Sequence, residues 1–316
     1  MIFLRRKRKI SSVKILLVVF FVLLILAGIG MIFLHFLYRK KFNDEEKIGE
    51  SDSLIATDDD MVLNVLLVGL DEIQEKQRGR SDSMMVVSLD ARHKKVKLTS
   101  LMRDLWVPIP KHGYSKLNSA YAHGGIKLLV EVINSVLGLK IDRYIVVDFK
   151  KFEEVIDKFG GIDMDLTPEE VRFINSHSSK GHLTGSGKKH LNGDQALQYA
   201  RDRDDPSADF KRTQRQRILI SAIMEKFKSS NLVDLMSFAQ NAIESVKTNF
   251  SLAEVLSLVR KSEKFMSYNT NNELSIPVNS KCETRNGQSV LTSDLKECRD
   301  AIGKFIYEEK YLNRKN

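Results

Sequence analysis

The stretch of the sequence with the clearest chemical character is residues 199–217, YARDRDDPSADFKRTQRQR, which combines five arginines, one lysine and four aspartates. A charge run of this kind is commonly the solvated face of a helix. The alternative is an anion-binding pocket, because guanidinium groups pair with phosphate oxygens through two parallel hydrogen bonds. The direction in which the arginines point decides between these two interpretations.

That direction can be estimated from the apolar residues that follow the charge run. Four of them recur at helical spacing: Leu219, Ile220, Ile223 and Phe227. Extending this stripe backwards at about 100° per residue puts Arg212 and Gln216 inside its arc and Arg215 at its edge, whereas Arg217 falls on another face. A charge on the core-facing side needs a partner or a ligand. The pattern therefore favours an anion pocket over a solvated face.

Carboxylates that suit a metal ion lie elsewhere in the chain. Asp71 follows one predicted strand and Asp82 precedes the next. Side chains at facing ends of adjacent strands can converge, and one or two carboxylates completed by substrate phosphates are the usual way to hold Mg²⁺. Capping of a turn is the alternative for both aspartates.

Other polar residues stand at the ends of predicted elements: Arg80, Arg103, Asp104 and Lys116. Together with the arginine-rich helix they form the mixture that a diphosphate would require, since arginines bind its oxygens and carboxylates bind its metal. The single tryptophan, Trp106, is interpreted as a core residue.

The elements that must position these residues alternate between strands and helices. Strands are predicted over residues 62–69, 84–90, 96–100 and 141–148, and helices over 120–137, 149–159, 195–201, 210–227, 232–246 and 252–265. This order predicts a layered α/β fold with helices packed on a central sheet. The apolar faces of the helices at 149–159, 210–227 and 252–265 either pack solidly or line a tunnel.

The N-terminus carries the whole net charge of the chain. Residues 1–41 hold nine lysines and arginines and no acid, so the other 41 basic residues balance the 41 acidic ones. Residues 15–37 are apolar apart from His35, and a helix of this length can cross a bilayer. More basic residues precede this span than follow it, which predicts a cytoplasmic N-terminus. The basicity therefore gives no reason to expect a nucleic-acid partner.

The predicted organisation is a cytoplasmic tail (1–14), one transmembrane helix (15–37), an extracellular tether (38–60) and a single catalytic domain (61–316). Two cysteines lie late in the chain, Cys282 and Cys298. Outside the membrane they could form a disulfide, which we favour, or remain two separate thiols.

Seven segments in order resemble the LytR-CpsA-Psr family of Gram-positive cell-envelope proteins. They are VLLVGLD, GRSDSMMVVSLD, LTSLMRDLWVPIP, SKLNSAYAHGG, DRYIVVDFKKFEEVIDKFGGIDMDL, LNGDQALQYARDR and DFKRTQRQR. The resemblance implies a three-layer α/β/α domain with a central mixed sheet, outside the cell membrane. It also implies transfer of a teichoic acid or capsular polysaccharide from a polyprenyl-diphosphate carrier to peptidoglycan.

By position, the resemblance implies that Asp71 and Asp82 bind Mg²⁺ and that a larger set contacts the diphosphate. That set is Arg80, Arg103, Arg201, Arg203, Arg212, Arg215 and Gln216. Asp104 and Lys116 lie in matching motifs: Lys116 is expected to bind the diphosphate, and Arg103 and Asp104 are the expected catalytic residues. The final motif commonly ends Arg-Gln-Gln, whereas Arg217 stands here in the last position.

A second hypothesis from another class is a membrane-bound regulator of transcription, a description also attached to this family. Topology separates the two hypotheses, because an arginine-rich segment outside the membrane cannot contact DNA. The sequence therefore favours the phosphotransferase.

Overall fold

The computed structural model describes residues 62–70, 79–202, 208–260 and 268–307. Its centre is a mixed six-stranded sheet in the order β10-β3-β2-β1-β6-β9. The strands of this sheet are β1 (Val62–Leu70), β2 (Ser81–Asp90), β3 (Lys95–Leu101), β6 (Arg143–Asp148), β9 (Lys247–Thr248) and β10 (Asn269–Ile276). β1 pairs antiparallel with β2 and parallel with β6, which confirms the predicted mixed sheet.

Six smaller strands form three two-stranded antiparallel sheets outside this sheet. They are β4 (Trp106–Ile109) with β5 (Gly113–Lys116), β7 (Ile162–Leu166) with β8 (Gly187–Leu191), and β11 (Lys281–Arg285) with β12 (Gln288–Thr292). The sequence analysis did not predict them. Each strand is only four or five residues long, which is too short for alternation of apolar and polar residues to stand out.

The helices of the described residues are α1 (Leu117–Leu137), α2 (Phe149–Lys158), α3 (Pro168–His177), α4 (Gly193–Arg201), α5 (Ala208–Ser229), α6 (Leu232–Ser245), α7 (Leu252–Arg260) and α8 (Leu295–Tyr307). Six of them match predicted helices to within a few residues. As predicted, α1 ends at Leu137, and the φ of 64° at Gly138, which follows it, is the left-handed conformation that glycine adopts most easily. Helices α3 and α8 were not predicted.

The faces of the sheet are covered by different helices. Met85 and Leu98 are buried against Ile220 and Met224 of α5. Leu66 and Val86, whose side chains alternate with these across the sheet, are completely buried, and α1 packs on β2. The sheet thus carries α5 on one face and α1 on the other.

The predicted transmembrane helix at 15–37 and the tether at 38–60 lie outside the described residues. Among the helices that the structure describes, none combines the length and the apolar character needed to cross a bilayer.

The prediction of a disulfide between Cys282 and Cys298 is wrong. Cys282 is exposed on β11, Cys298 is buried on α8, and both are free thiols. The Sγ of Cys298 lies 3.4 Å from Ser293 Oγ, and the Sγ of Cys282 lies 3.3 Å from Ser289 Oγ. The burial of Cys298 beneath its helix turns it toward the core, so the alternative of two separate thiols is correct.

A buried ion pair joins the sheet to the C-terminal helix. Lys97 Nζ donates to Asp90 Oδ2 over 2.6 Å and to the carbonyl of Ile306, and both charged side chains are 1% exposed. Burial would raise the pKa of Asp90, but hydrogen bonds from Lys97 and His93 outweigh it and hold the pKa below its usual value. The carboxylate therefore contributes stability above about pH 4 that is lost as pH falls through its lowered pKa.

Lys97→Met is expected to lower the free energy of unfolding by about 3–5 kcal/mol, because it leaves a buried carboxylate without its ammonium partner. Denaturant titration of the wild type and the variant measures this difference. The difference should narrow as pH falls, since Asp90 in the variant can protonate. The double variant Asp90→Asn/Lys97→Met should recover most of the loss, and a double variant as unstable as the single one would contradict the assignment.

Candidate functional site

A large apolar cavity within the described ranges lies between the central sheet and the helices α2, α5 and α6. Its volume is about 420 Å³, and its wall is formed almost entirely by aliphatic and phenylalanine side chains. Those from the helices include Phe152, Val155, Leu219, Ile223, Phe227, Phe238, Ala242 and Ile243, and those from the strands include Leu67, Met85, Ile145 and Val147. The apolar faces of α2 and α5 therefore line a space and do not pack solidly.

One region of the cavity wall is polar, and it is formed by the first turns of α5 and the start of β2. Arg212 is 3% exposed, and its NH2 lies 3.4 Å from the backbone carbonyl of Asp82. Gln216, one helical turn further, accepts a 2.8 Å hydrogen bond from Ser83 Oγ. Both residues share the face of Leu219 and Ile223, as the helical spacing predicted.

Asp82 belongs to a row of alternating charges that extends away from the cavity. Arg103 NH1 donates to Asp82 Oδ1 over 2.9 Å, and Arg103 Nε lies 3.5 Å from Asp104 Oδ2. Asp104 Oδ1 in turn lies 2.7 Å from Lys116 Nζ. Asp82 itself lines the cavity. The structure thus brings together four residues that the sequence placed at the ends of separate elements.

Arg201 lines the same cavity from the C-terminal end of α4. Its guanidinium carbon lies 4.6 Å from the ring centroid of Phe149, which is the first residue of α2. Stacking on an aromatic face fixes the plane of a guanidinium group while leaving its N–H groups available at the edge. Phe149 and Ser83, which contact Arg201 and Gln216, were not predicted as part of the site, although both directly adjoin predicted strand ends.

Arg215 does not line the apolar cavity, and its contacts within the described residues are with acidic side chains. Its NH2 lies 2.7 Å from Asp202 Oδ2, its NH1 donates to the Asp202 carbonyl over 3.2 Å, and its Nε lies 3.8 Å from Glu170 Oε1. The reason is that α3, which the sequence did not predict, places Glu170 beside the edge of the apolar stripe. Arg215 ties α5 to α3 and α4 instead.

Arg217 faces away from the cavity, as predicted, but it is not a solvated residue. Its Nε lies 2.6 Å from Glu273 Oε2, and its NH1 donates to Ser100 Oγ and Ser275 Oγ over 2.9 Å each. These contacts tie α5 to β3 and β10, so Arg217 has a structural role.

The remaining candidate residues are separated from this cavity or lie outside the described residues. Arg80 is exposed directly before β2 and does not line the cavity. Asp71 and Arg203 fall outside the described residues. Trp106, interpreted as a core residue, is instead half-buried on the outer face of the β4–β5 hairpin.

The carboxylate that fits a metal site is Asp82. Across the described ranges no three histidine, cysteine, aspartate or glutamate side chains converge as a ready-made metal site. A cation held here would need oxygen atoms from a bound phosphate, which is how Mg²⁺ is commonly held.

Comparison with known proteins gives one family. The model of the LytR_cpsA_psr family matches residues 31–303. A curated relative, the polyisoprenyl-teichoic acid–peptidoglycan teichoic acid transferase TagV of Bacillus subtilis, is 37% identical over 201 residues, which are 62% of this chain and 51% of TagV. The regulatory protein MsrR of Staphylococcus aureus is 38% identical over 192 residues, covering 60% of this chain and 56% of MsrR. The chain therefore spans about half the length of these curated relatives.

Two solved structures share the fold. The crystal structure of B. subtilis TagV superposes with a TM-score of 0.66 at 30% identity and covers 78% of this chain and 97% of that one. YwtF (TagT), solved with bound octaprenyl pyrophosphate lipid, gives a TM-score of 0.61 at 25% identity and covers 82% of this chain and 94% of that one.

Proposed function

This chain belongs to the LytR-CpsA-Psr family, and from that premise we propose that it transfers a glycopolymer from a polyprenyl-diphosphate carrier to peptidoglycan. The polymer is of the wall teichoic acid or capsular polysaccharide type. The observation that carries the proposal is the apolar cavity, whose polar region holds Arg212, Gln216, Arg201 and Asp82.

The apolar wall suits the prenyl part of such a donor. A cavity of 420 Å³ falls in the range of roughly 300–1,000 Å³ that small ligands occupy in proteins. Each prenyl CH₂ taken out of water there contributes about 0.8 kcal/mol. The related protein solved with octaprenyl pyrophosphate supports a lipid of this kind.

The polar region suits the diphosphate. Arg212 is held in the cavity wall, and Arg201 is oriented by its stacking on Phe149. The buried Arg212 can bind a phosphate more strongly than it would in water, because the local dielectric is low, and the exposed Arg201 offers a second guanidinium group to an adjacent phosphate. Arg80, Arg203 and Arg215 remain proposed contacts.

Mg²⁺ is the proposed cofactor, with Asp82 and Asp71 as the residues that would hold it together with the diphosphate. Asp82 fits this role because it lines the cavity beside Arg212, whose NH2 lies 3.4 Å from the backbone carbonyl of Asp82, and because its carboxylate is the hard oxygen ligand that Mg²⁺ prefers. The ion would supply neutralisation of the charge on the phosphate oxygens.

In the proposed reaction, a hydroxyl oxygen of peptidoglycan attacks the phosphorus that carries the polymer. A new phosphodiester bond forms, the bond to the bridging oxygen breaks, and prenyl phosphate leaves with that electron pair while the hydroxyl loses its proton. Arg212 and Arg201 orient the diphosphate and stabilise the charge that develops on the leaving prenyl phosphate. Arg103 and Asp104 are the proposed catalytic residues, and the ion pair with Lys116 holds Asp104 in place.

We also propose that the chain is a single-pass membrane protein with a cytoplasmic N-terminus and an extracellular domain. The apolar residues 15–37 and the basic residues before them support this topology. It would place the cavity in the compartment where peptidoglycan is assembled.

The regulatory hypothesis, which the name of MsrR keeps open, has less support from the site. A protein that binds DNA presents its arginines on an exposed surface. Here Arg212 is buried in the wall of an apolar cavity, and Arg217 is tied to the sheet. The transferase therefore accounts for the arginine-rich helix better.

Filling the cavity should block the donor. Ala242 on α6 lines the cavity, so Ala242→Phe places an aromatic ring where the prenyl chain would lie. Excluding about two methylene groups should weaken binding of a long-chain prenyl diphosphate by about tenfold. Isothermal titration with that lipid in detergent measures the loss.

Ser237→Phe is the matched control, because it adds the same ring to the exposed face of the same helix. It should bind the lipid as the wild type does. Equal affinities for all three proteins would show that the prenyl chain does not occupy this cavity.

A further inference from the structure

The β4–β5 hairpin carries an exposed aromatic surface whose role the proposed donor site does not explain. The two strands pair Trp106 with Lys116 and Pro108 with Tyr114, so these four side chains share one face of the hairpin. On the other face Val107 and Ile109 are buried. The hairpin therefore packs on the domain by one face and presents the other to solvent.

The two aromatic rings on the outer face form one continuous platform. Trp106 and Tyr114 are stacked with their centroids 6.5 Å apart and their planes inclined by 28°. Tyr114 is 59% exposed, which is unusual for so large an apolar ring. Exposed aromatic groups of this kind commonly mark binding surfaces.

The platform is continuous with the proposed catalytic residues. Lys116 stands beside Trp106 on the same face and pairs with Asp104 over 2.7 Å. Asp104 adjoins Arg103, which donates to Asp82 at the cavity. A ligand on the two rings would therefore lie next to the row of charges that leads to the diphosphate site.

We propose that Trp106 and Tyr114 form a carbohydrate-binding platform, on which a pyranose ring of a glycan stacks beside the diphosphate. The C–H face of a pyranose ring is apolar and matches the electron-rich face of an aromatic ring, while its hydroxyl groups can reach Lys116 and Asp104. This inference rests on the proposed transferase function. The sugar belongs either to the polymer on the donor or to the peptidoglycan acceptor.

Because Trp106 is the only tryptophan in the chain, its fluorescence reports on the platform directly. The full-length protein in detergent is titrated separately with soluble peptidoglycan oligosaccharide and with the lipid-free linkage sugar of a teichoic acid. We expect one of the two sugars to change the emission of Trp106. Tyr114→Ala should weaken binding of that sugar by about tenfold. The responding sugar identifies which of the two sources supplies the platform's ligand.

Leu232→Ala serves as the control, since Leu232 is an exposed apolar residue at the start of α6 and outside the cavity wall. It should leave the sugar titration unchanged. Binding of prenyl diphosphate without sugar is measured in parallel and should be the same in the wild type and Tyr114→Ala. If that lipid binds but neither sugar alters the emission, the platform is wrong and the donor site stands. If the lipid itself does not bind the wild type, the proposed function fails first.

Discussion

Arg212→Ala is expected to weaken binding of polyprenyl diphosphate by about 10- to 150-fold, the loss of one bidentate contact worth roughly 1.5–3 kcal/mol. Arg212 is the most deeply buried of the arginines in the cavity wall, at 3% exposure, so no solvent screens its interaction with a bound anion. Arg212→Lys should lie between the wild type and the alanine variant, because lysine keeps the charge but not the planar fork. Titration with the lipid in detergent measures all three affinities.

Arg217→Ala is the internal control for this experiment, because it removes the same charge from the same helix on the face away from the cavity. Its affinity for the lipid should match that of the wild type. Its stability should fall by about 1–2 kcal/mol, since it loses the contacts with Glu273, Ser100 and Ser275. Equal and small losses of affinity in the two variants would return the arginine-rich stretch to the solvated-helix interpretation.

Asp82→Ala is expected to reduce Mg²⁺-dependent transfer by about 100-fold or more, because the variant would lose the ion that Asp82 holds. Losing one group that stabilises developing charge, here the Mg²⁺, usually has an effect of this size. The fold should survive, because the side chain lines a cavity and is not packed in the core. Transfer rates over a series of Mg²⁺ concentrations measure the effect. Binding of Mn²⁺ to the complex with prenyl diphosphate, followed by electron paramagnetic resonance, gives a readout that does not depend on turnover.

Asp82→Asn distinguishes the role of Asp82 in metal binding from its role in the ion pair, because the amide oxygen of asparagine can still accept the hydrogen bond from Arg103. Asp163→Ala removes a carboxylate from a solvent-exposed position on β7 and should leave transfer unchanged. If Asp82→Asn keeps the Mg²⁺ dependence of the wild type, its carboxylate does not bind the ion.

The sequence predicted the parts of the site that follow from a strong local period. The apolar stripe of α5 places Arg212 and Gln216 in the cavity wall because a helix repeats every 3.6 residues over a long, well-patterned segment. The strand before Gly69 and the one after Asp82 were equally clear, and their antiparallel pairing brings those strand ends together.

The features that were not predicted from the sequence depend on contacts between distant segments. No pattern in the sequence around Arg215 indicates that it pairs with Glu170 and Asp202. Trp106 was predicted to be a core residue, yet the register of a hairpin with four-residue strands turns its side chain outward. The C-terminal strands were missed because polar residues such as those of Asn269–Ile276 do not have the composition of a typical strand.

The most direct measurement is a transfer assay with defined components. The purified full-length chain is incubated with a synthetic polyprenyl-diphosphate-linked teichoic acid precursor, Mg²⁺ and peptidoglycan, beside the B. subtilis transferase TagV as a positive control. The account predicts polymer bound covalently to peptidoglycan and release of prenyl phosphate in equal amount, with both products lost in Arg212→Ala. Transfer by TagV under conditions in which this chain binds no donor and releases no prenyl phosphate would contradict it.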